Sequence, residues 1–93
     1  MTCTLKIPVP LRNLTENQAE VQLEGATIKE VVSNLTVKFP AIKERVCDEN
    51  GNVRRFINVY LNEEDIRFLK NADTEVKAGD EISLIPAIAG GSF

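Results

Sequence analysis

The residues best suited to chemistry in this 93-residue chain are two cysteines, three consecutive acids and a glycine pair near the C-terminus. Cys3 and Cys47 are the only cysteines, and the chain contains no histidine. A four-ligand zinc site and a cysteine–histidine nucleophile pair are therefore both excluded. Because no leader sequence points to an oxidising compartment, we expect two reduced, structural thiols rather than a disulfide.

The three consecutive acids are Glu63, Glu64 and Asp65, which follow a segment with the pattern of a strand. Carboxylate oxygens bind hard cations, but a run of acids on a turn is more typical of a solvated corner. With no histidine and no second acidic cluster nearby in the sequence, we expect a loop here rather than a metal site.

The arginines on either side of these acids allow two interpretations. Arg54, Arg55 and Arg67 can form a small basic patch that faces a partner, or Arg67 can pair with Asp65 or Glu64. Exposed ion pairs contribute only ~0–1 kcal/mol to stability, so the sequence leaves both interpretations open.

The C-terminal segment "IPAIAGGSF" is an apolar arm that leads into Gly90 and Gly91 and then into Ser92 and Phe93. One interpretation is a frayed terminus, because the last residues of domains are commonly disordered. The apolar arm favours a binding role instead, since Ile88 can anchor an extended peptide in a partner's groove.

The elements that position this arm begin with two strands. Two segments alternate apolar and polar residues with the period of a strand that buries one face, and we expect them to pair antiparallel through a loop over residues 12–18. The inward residues are Cys3, Leu5, Ile7 and Val9 in "TCTLKIPVPL", and Val21 and Leu23 in "AEVQLEG".

A helix follows the second strand. Its apolar face repeats at the helical spacing, Thr27 and Glu30 form a capping box at its start, and Pro40 ends it near Lys38. "AIKERVCDENGN" then predicts a short second turn and a turn at Asn50 and Gly51. The apolar face consists of Ile28, Val31, Val32 and Leu35.

The clearest strand is "RRFINVYLNEED", and a short element at residues 66–69 and a turn at residues 78–80 precede the final strand. Phe56, Tyr60 and Phe68 are three of the five aromatic residues, and Phe56 and Tyr60 lie on the face opposite the core. They either form an exposed docking patch or are core residues under the helix. The core residues are Ile57, Val59 and Leu61, with Ile82 and Leu84 in the last strand.

This order of elements predicts an α+β roll, with a mixed sheet of four to five strands and one main helix on one face. We expect a single domain over residues 1–86 and a flexible tail over residues 87–93. The net charge of −3, without a basic block, argues against nucleic acid, and no apolar run is long enough for a membrane span. We therefore expect a cytoplasmic protein that is not an enzyme, since no nucleophile–base pair is present.

With this order of elements, the pair Gly90-Gly91, "RFINVYLNEEDIRFL" and "AGDEISLIPAIAGG", the chain resembles the ubiquitin-like, β-grasp sulfur carriers. This group includes the small subunit of molybdopterin synthase and the carrier of thiazole synthesis. The resemblance is strongest to the branch that supplies sulfur for cysteine or homocysteine biosynthesis. It implies that a ubiquitin-activating-type enzyme adenylates the Gly91 carboxylate with ATP, and that a thiocarboxylate then forms there. The absence of a Cβ at Gly90 and Gly91 suits passage through a narrow channel and attack on the Gly91 carbonyl.

In this chain the Gly91 carbonyl is tied in an amide to Ser92, so it offers no carboxylate for adenylation. Our hypothesis is that a separate metal-dependent peptidase cuts between Gly91 and Ser92. The acceptor of the sulfur would then be a synthase that uses its own pyridoxal phosphate, and the carrier itself needs no cofactor. The alternatives are a ubiquitin-like modifier conjugated through Gly91 and a small subunit of molybdopterin synthase.

Overall fold

The computed structural model describes residues 2–50, 52–54 and 56–86. They form a five-stranded mixed sheet with the order β2-β1-β5-β3-β4, which confirms the predicted α+β roll. β1 pairs antiparallel with β2 and parallel with β5, whereas β3 pairs antiparallel with both β5 and β4. The strands are β1 Thr2–Lys6, β2 Glu20–Glu24, β3 Ile57–Leu61, β4 Glu64–Asp65 and β5 Glu81–Pro86.

The main helix, α1, covers one face of the sheet and spans Ile28–Lys38. At its start, the Thr27 hydroxyl accepts a hydrogen bond from the Glu30 N–H at 3.3 Å, as predicted. The Glu30 carboxylate, however, accepts from the N–H of Ala26 at 3.3 Å and not from that of Thr27. One hydrogen bond of the predicted capping box is therefore present, and the other forms with the N–H one residue earlier, at Ala26.

After α1 the chain forms the predicted second turn, which consists of a 3-10 turn at Pro40–Ile42 and a one-turn helix α2 at Lys43–Val46. An isolated bridge between Cys47 and Val53 closes the loop that follows. Of the turn predicted at Asn50 and Gly51, Gly51 lies outside the described residues.

The core lies between α1 and the inner face of the sheet. All the strand residues that were predicted to face inward are buried except Val9, and so is the apolar face of α1. Burying an aliphatic side chain fully contributes ~1.5–3 kcal/mol, so this layer is the main stabilising element of the fold. The fully buried members include Leu5, Ile7, Val21, Ile28, Val31, Leu35 and Ile82.

The prediction for Val9 is wrong, because its side chain is 70% exposed. β1 ends at Lys6, and the chain turns into a 3-10 segment over Val9–Leu14. Pro8 and Pro10 lack backbone N–H donors and therefore favour this turn over a continued ladder. Leu11 occupies the core instead, and the 3-10 segment continues to Leu14, inside the loop predicted over residues 12–18, where Thr15 is also buried.

β3 and β4 form a hairpin in the acidic region that the sequence predicted as a loop. Asn62 and Glu63, the two residues between the strands, have φ values of 50° and 73°. Positive φ at both central positions is the geometry of a type I′ turn, whose twist matches that of paired strands. The predicted turn at residues 78–80 is also present, with Gly79 at a φ of 85°.

The predicted short element at residues 66–69 is a 3-10 turn at Ile66–Phe68, and a second 3-10 turn follows at Asn71–Asp73. Within the described part of the chain, no helix is long and apolar enough to cross a membrane.

Candidate functional site

The residues predicted to carry the chemistry, Ile88, Gly90, Gly91 and Ser92, lie outside the described residues. The same holds for the proposed tail over residues 87–93 and for Arg55. What the structure does describe is the strand that leads into the tail, β5, and the surface around it.

The start of β5 is held by a hydrogen-bonded corner around Asn62. The Asn62 side-chain oxygen accepts from the Glu81 N–H at 3.0 Å, and its amide donates to the Asp80 carboxylate at 3.2 Å. The other Asp80 oxygen accepts from the Lys77 N–H at 2.8 Å. This corner sets the point at which β5 enters the sheet.

Further along, β5 loses one of its two neighbours. β1 pairs with it only as far as Ser83, whereas β3 pairs with it as far as Pro86, which lies opposite Ile57. Ile82 and Leu84 remain buried in the core. Within the described residues, the last part of β5 is therefore paired on one side only, and its final residue, Pro86, lies beside the beginning of β3.

An apolar surface lies near Pro86, on the side of β3 and β5 that faces away from α1. We call Tyr60, Ile85 and Phe56, which lies in the turn just before β3, the outer-face patch; Phe56 is 39% exposed, Tyr60 is half-buried and Ile85 is 45% exposed. Ile85 lies opposite Asn58 in the β3–β5 ladder, and Tyr60 lies opposite Ser83. The alternative in which Phe56 and Tyr60 are core residues under the helix is wrong, because neither side chain is buried.

Ile85 was missed in the sequence, although the signal was present. Ile82 and Leu84 were assigned to the core, and the period of a strand then places Ile85 on the opposite face. Phe68 is 82% exposed, but it lies in the 3-10 turn after β4 and not on a strand of this face.

The acidic run does not act as one cluster. Glu63 and Glu64 are exposed, whereas Asp65 is buried and binds Arg67 through contacts of 2.6 Å to the guanidinium and 2.9 Å to the backbone N–H. The side-chain hydrogen bond from Arg67, followed by the one from its backbone, lowers the pKa of Asp65. Of the two interpretations of Arg67, pairing with Asp65 is confirmed.

The two cysteines are free and buried, which confirms the prediction of structural thiols. Burial raises the pKa of both, most strongly through loss of solvation of the thiolate. A buried thiol of raised pKa is a poor nucleophile, because the thiolate is the reactive form. Neither side chain is therefore placed to carry sulfur by itself.

Comparison with known proteins places these features in a family. The chain matches the ThiS family over residues 5–91. It is 39% identical over 93 residues to the sulfur carrier protein CysO of Mycobacterium tuberculosis. The alignment covers 98% of this chain and 100% of that protein.

Two solved structures are similar throughout. CysO in the BexX/CysO complex of Amycolatopsis orientalis gives a TM-score of 0.86 at 40% identity, over 96% of this chain and 99% of that one. The small archaeal modifier protein 1 of Methanosarcina acetivorans gives a TM-score of 0.84 at 30% identity, over 97% of this chain and 96% of that one. The chain therefore belongs to the ThiS family of ubiquitin-like sulfur carriers with the β-grasp fold.

Proposed function

We propose that this chain is a sulfur carrier that becomes active when Ser92 and Phe93 are removed. The observation that carries the proposal is the family match, which extends to Gly91 and leaves those two residues beyond it. From Pro86, the last described residue, five residues lead to Gly91 and can span at most about 18 Å. This length suits delivery of one terminal group into the active site of a partner.

The chemistry takes place at the carboxylate that cleavage would expose. In the proposed first step, an oxygen of the Gly91 carboxylate attacks the α-phosphate of ATP, and pyrophosphate leaves. Hydrosulfide supplied by a sulfur donor then attacks the acyl carbon and displaces AMP, and loss of its proton leaves a thiocarboxylate. An amide at Gly91 cannot take the first step, because its nitrogen and oxygen share their electrons and it offers no free oxyanion.

Three partners follow from this sequence of steps. A ubiquitin-activating-type enzyme would form the adenylate, and a metal-dependent peptidase would cut between Gly91 and Ser92. A synthase with its own pyridoxal phosphate would accept the sulfur for the synthesis of cysteine or homocysteine. The outer-face patch is our candidate for docking the activating enzyme or the synthase, since exposed clustered aromatics mark interfaces.

The test compares the complete chain with a variant that ends at Gly91. Both are incubated with the activating enzyme, ATP and a sulfur donor, and pyrophosphate release and intact mass are measured. We expect pyrophosphate only from the shorter chain, together with a gain of about 16 Da when sulfur replaces oxygen. A chain that ends at Gly90 is the matched control. Adenylate formed at Phe93 of the complete chain would refute the requirement for cleavage.

A second candidate function is conjugation to target proteins through Gly91. The similarity to the small archaeal modifier protein 1 favours it, because that relative is named as a modifier and is 30% identical. The same intact-mass measurement on protein recovered from cells separates the two. Sulfur carriage predicts the small mass gain on the free chain, whereas modification predicts a ladder of larger conjugates.

A further inference from the structure

A groove of about 280 Å³ runs along the edge of the sheet where β4 is short. β4 pairs only with Tyr60 and Leu61, so within the described residues Ile57–Val59 have no strand partner on that side. All three of these consecutive residues line the groove. Because successive side chains of a strand point to opposite faces, the groove must border the edge of β3 rather than one of its faces.

The backbone N–H and C=O groups of every second residue of β3 point toward this groove. The Asn62 N–H donates to the Glu81 carbonyl at 2.8 Å, so the even-numbered residues of β3 direct their N–H and C=O groups at β5. Those of Ile57 and Val59 therefore point the other way. The Ile57 N–H bonds the Arg54 carbonyl at 3.0 Å. Within the described residues, the groups that remain for an added extended chain are therefore the N–H and C=O of Val59 and the C=O of Ile57.

The rim of the groove is positively charged although the whole chain carries a net charge of −3. Lys29, Arg54 and Arg67 line it, and the only acid among the lining residues, Asp65, is bound by Arg67. Lys29 and Arg54 form no ion pair with any described residue. The Arg54 side chain is held in place by a 2.8 Å hydrogen bond from its Nε to the Glu44 carbonyl.

The floor of the groove is apolar, since Ile28, Val32, Val59 and Ile66 are core residues that also line it. We propose that this groove binds an extended, acidic segment of a partner protein, with carboxylates at Lys29 and Arg54 and apolar side chains on the floor between them. The charges of the rim select acidic residues, and the edge of β3 selects an extended backbone. This proposal does not depend on the chemistry at Gly91.

The experiment uses the complete chain, labelled with ¹⁵N, and a fluorescent hexapeptide of alternating Glu and Val. We expect amide shifts concentrated at Lys29, Arg54 and residues 57–59. Replacing both rim cations, Lys29→Glu with Arg54→Glu, should weaken binding about tenfold or more, because attraction becomes repulsion at two positions. Lys77→Glu, an exposed lysine outside the groove, is the matched control and should change binding less than about twofold.

A second peptide keeps the test independent of how well the double variant folds. N-methylation at alternate residues of the Glu-Val peptide removes its backbone donors without changing its charge, and we expect binding to weaken about tenfold. Equal binding of the methylated peptide, of a Lys-Val peptide or of a thymidine decanucleotide would overturn the proposal. So would amide shifts that avoid the groove.

Discussion

Replacing Ile85 by serine should weaken productive binding to the activating enzyme while leaving the chemical step unchanged. Ile85 is 45% exposed, and burying a whole isoleucine side chain contributes ~1.5–3 kcal/mol. If docking covers the exposed part, about 0.7–1.4 kcal/mol is lost in the variant, which corresponds to about a three- to tenfold rise in KM. kcat should stay the same, because the Gly91 terminus is untouched.

The assay is pyrophosphate release as a function of carrier concentration, with both proteins ending at Gly91. Val37→Ser is the matched control, because Val37 is an aliphatic residue that is 76% exposed on α1, away from the outer-face patch. Thermal melting of both variants checks that the fold is intact. An unchanged KM for Ile85→Ser, or an equal rise for Val37→Ser, would refute docking through this face.

Two further predictions concern stability. Glu63→Gly should stabilise the protein by about 0.5–1 kcal/mol, because relief of the left-handed conformation exceeds the extra entropy of glycine in the unfolded chain. Thermal melting should show a rise of roughly 3–6 °C, and the same rise in Glu63→Ala would contradict the backbone explanation. The second prediction uses the pKa of Asp65, which in the folded protein lies below its ordinary value of 3.8. The ionised carboxylate therefore contributes fully to the stability of the fold above pH 3.8. This contribution is lost as the pH falls through the pKa of the folded state. Urea unfolding at neutral and acidic pH should therefore show less acid destabilisation in Asp65→Asn than in the original protein, and equal pH profiles would contradict the role of the Arg67 contact.

Much of the fold could be predicted because the relevant signals are local. The two-residue alternation in β1, β2, β3 and β5 and the helical spacing in α1 each depend on neighbours within a few positions. The prediction for Val9 was wrong because the apolar–polar alternation of the sequence continues past Pro8, whereas the strand itself has already ended. The β3–β4 hairpin was missed because Asn62 and Glu63 lack the glycine that usually marks a type I′ turn.

Some features of the candidate site could likewise be predicted from the sequence, and others needed the structure. The glycine pair, the two residues after it and the free thiols could be identified from residue types alone. Their interpretation depends on covalent chemistry and on the absence of histidine. The outer-face patch needed the structure, because only the packing of α1 on one face decides which side of the sheet stays exposed.

The sequence by itself determined the periodic elements and their order, because these follow from side-chain type and short spacing, whereas the chemistry at the Gly-Gly end stays a prediction. Only the tertiary structure decided what those elements bring together. Lys29, Arg54 and Arg67 come from separate segments and meet around one groove, and β4 ends after two residues and leaves the edge of β3 beside them. No local sequence pattern predicts that these residues lie together, because their proximity depends on how the packed core orients distant segments.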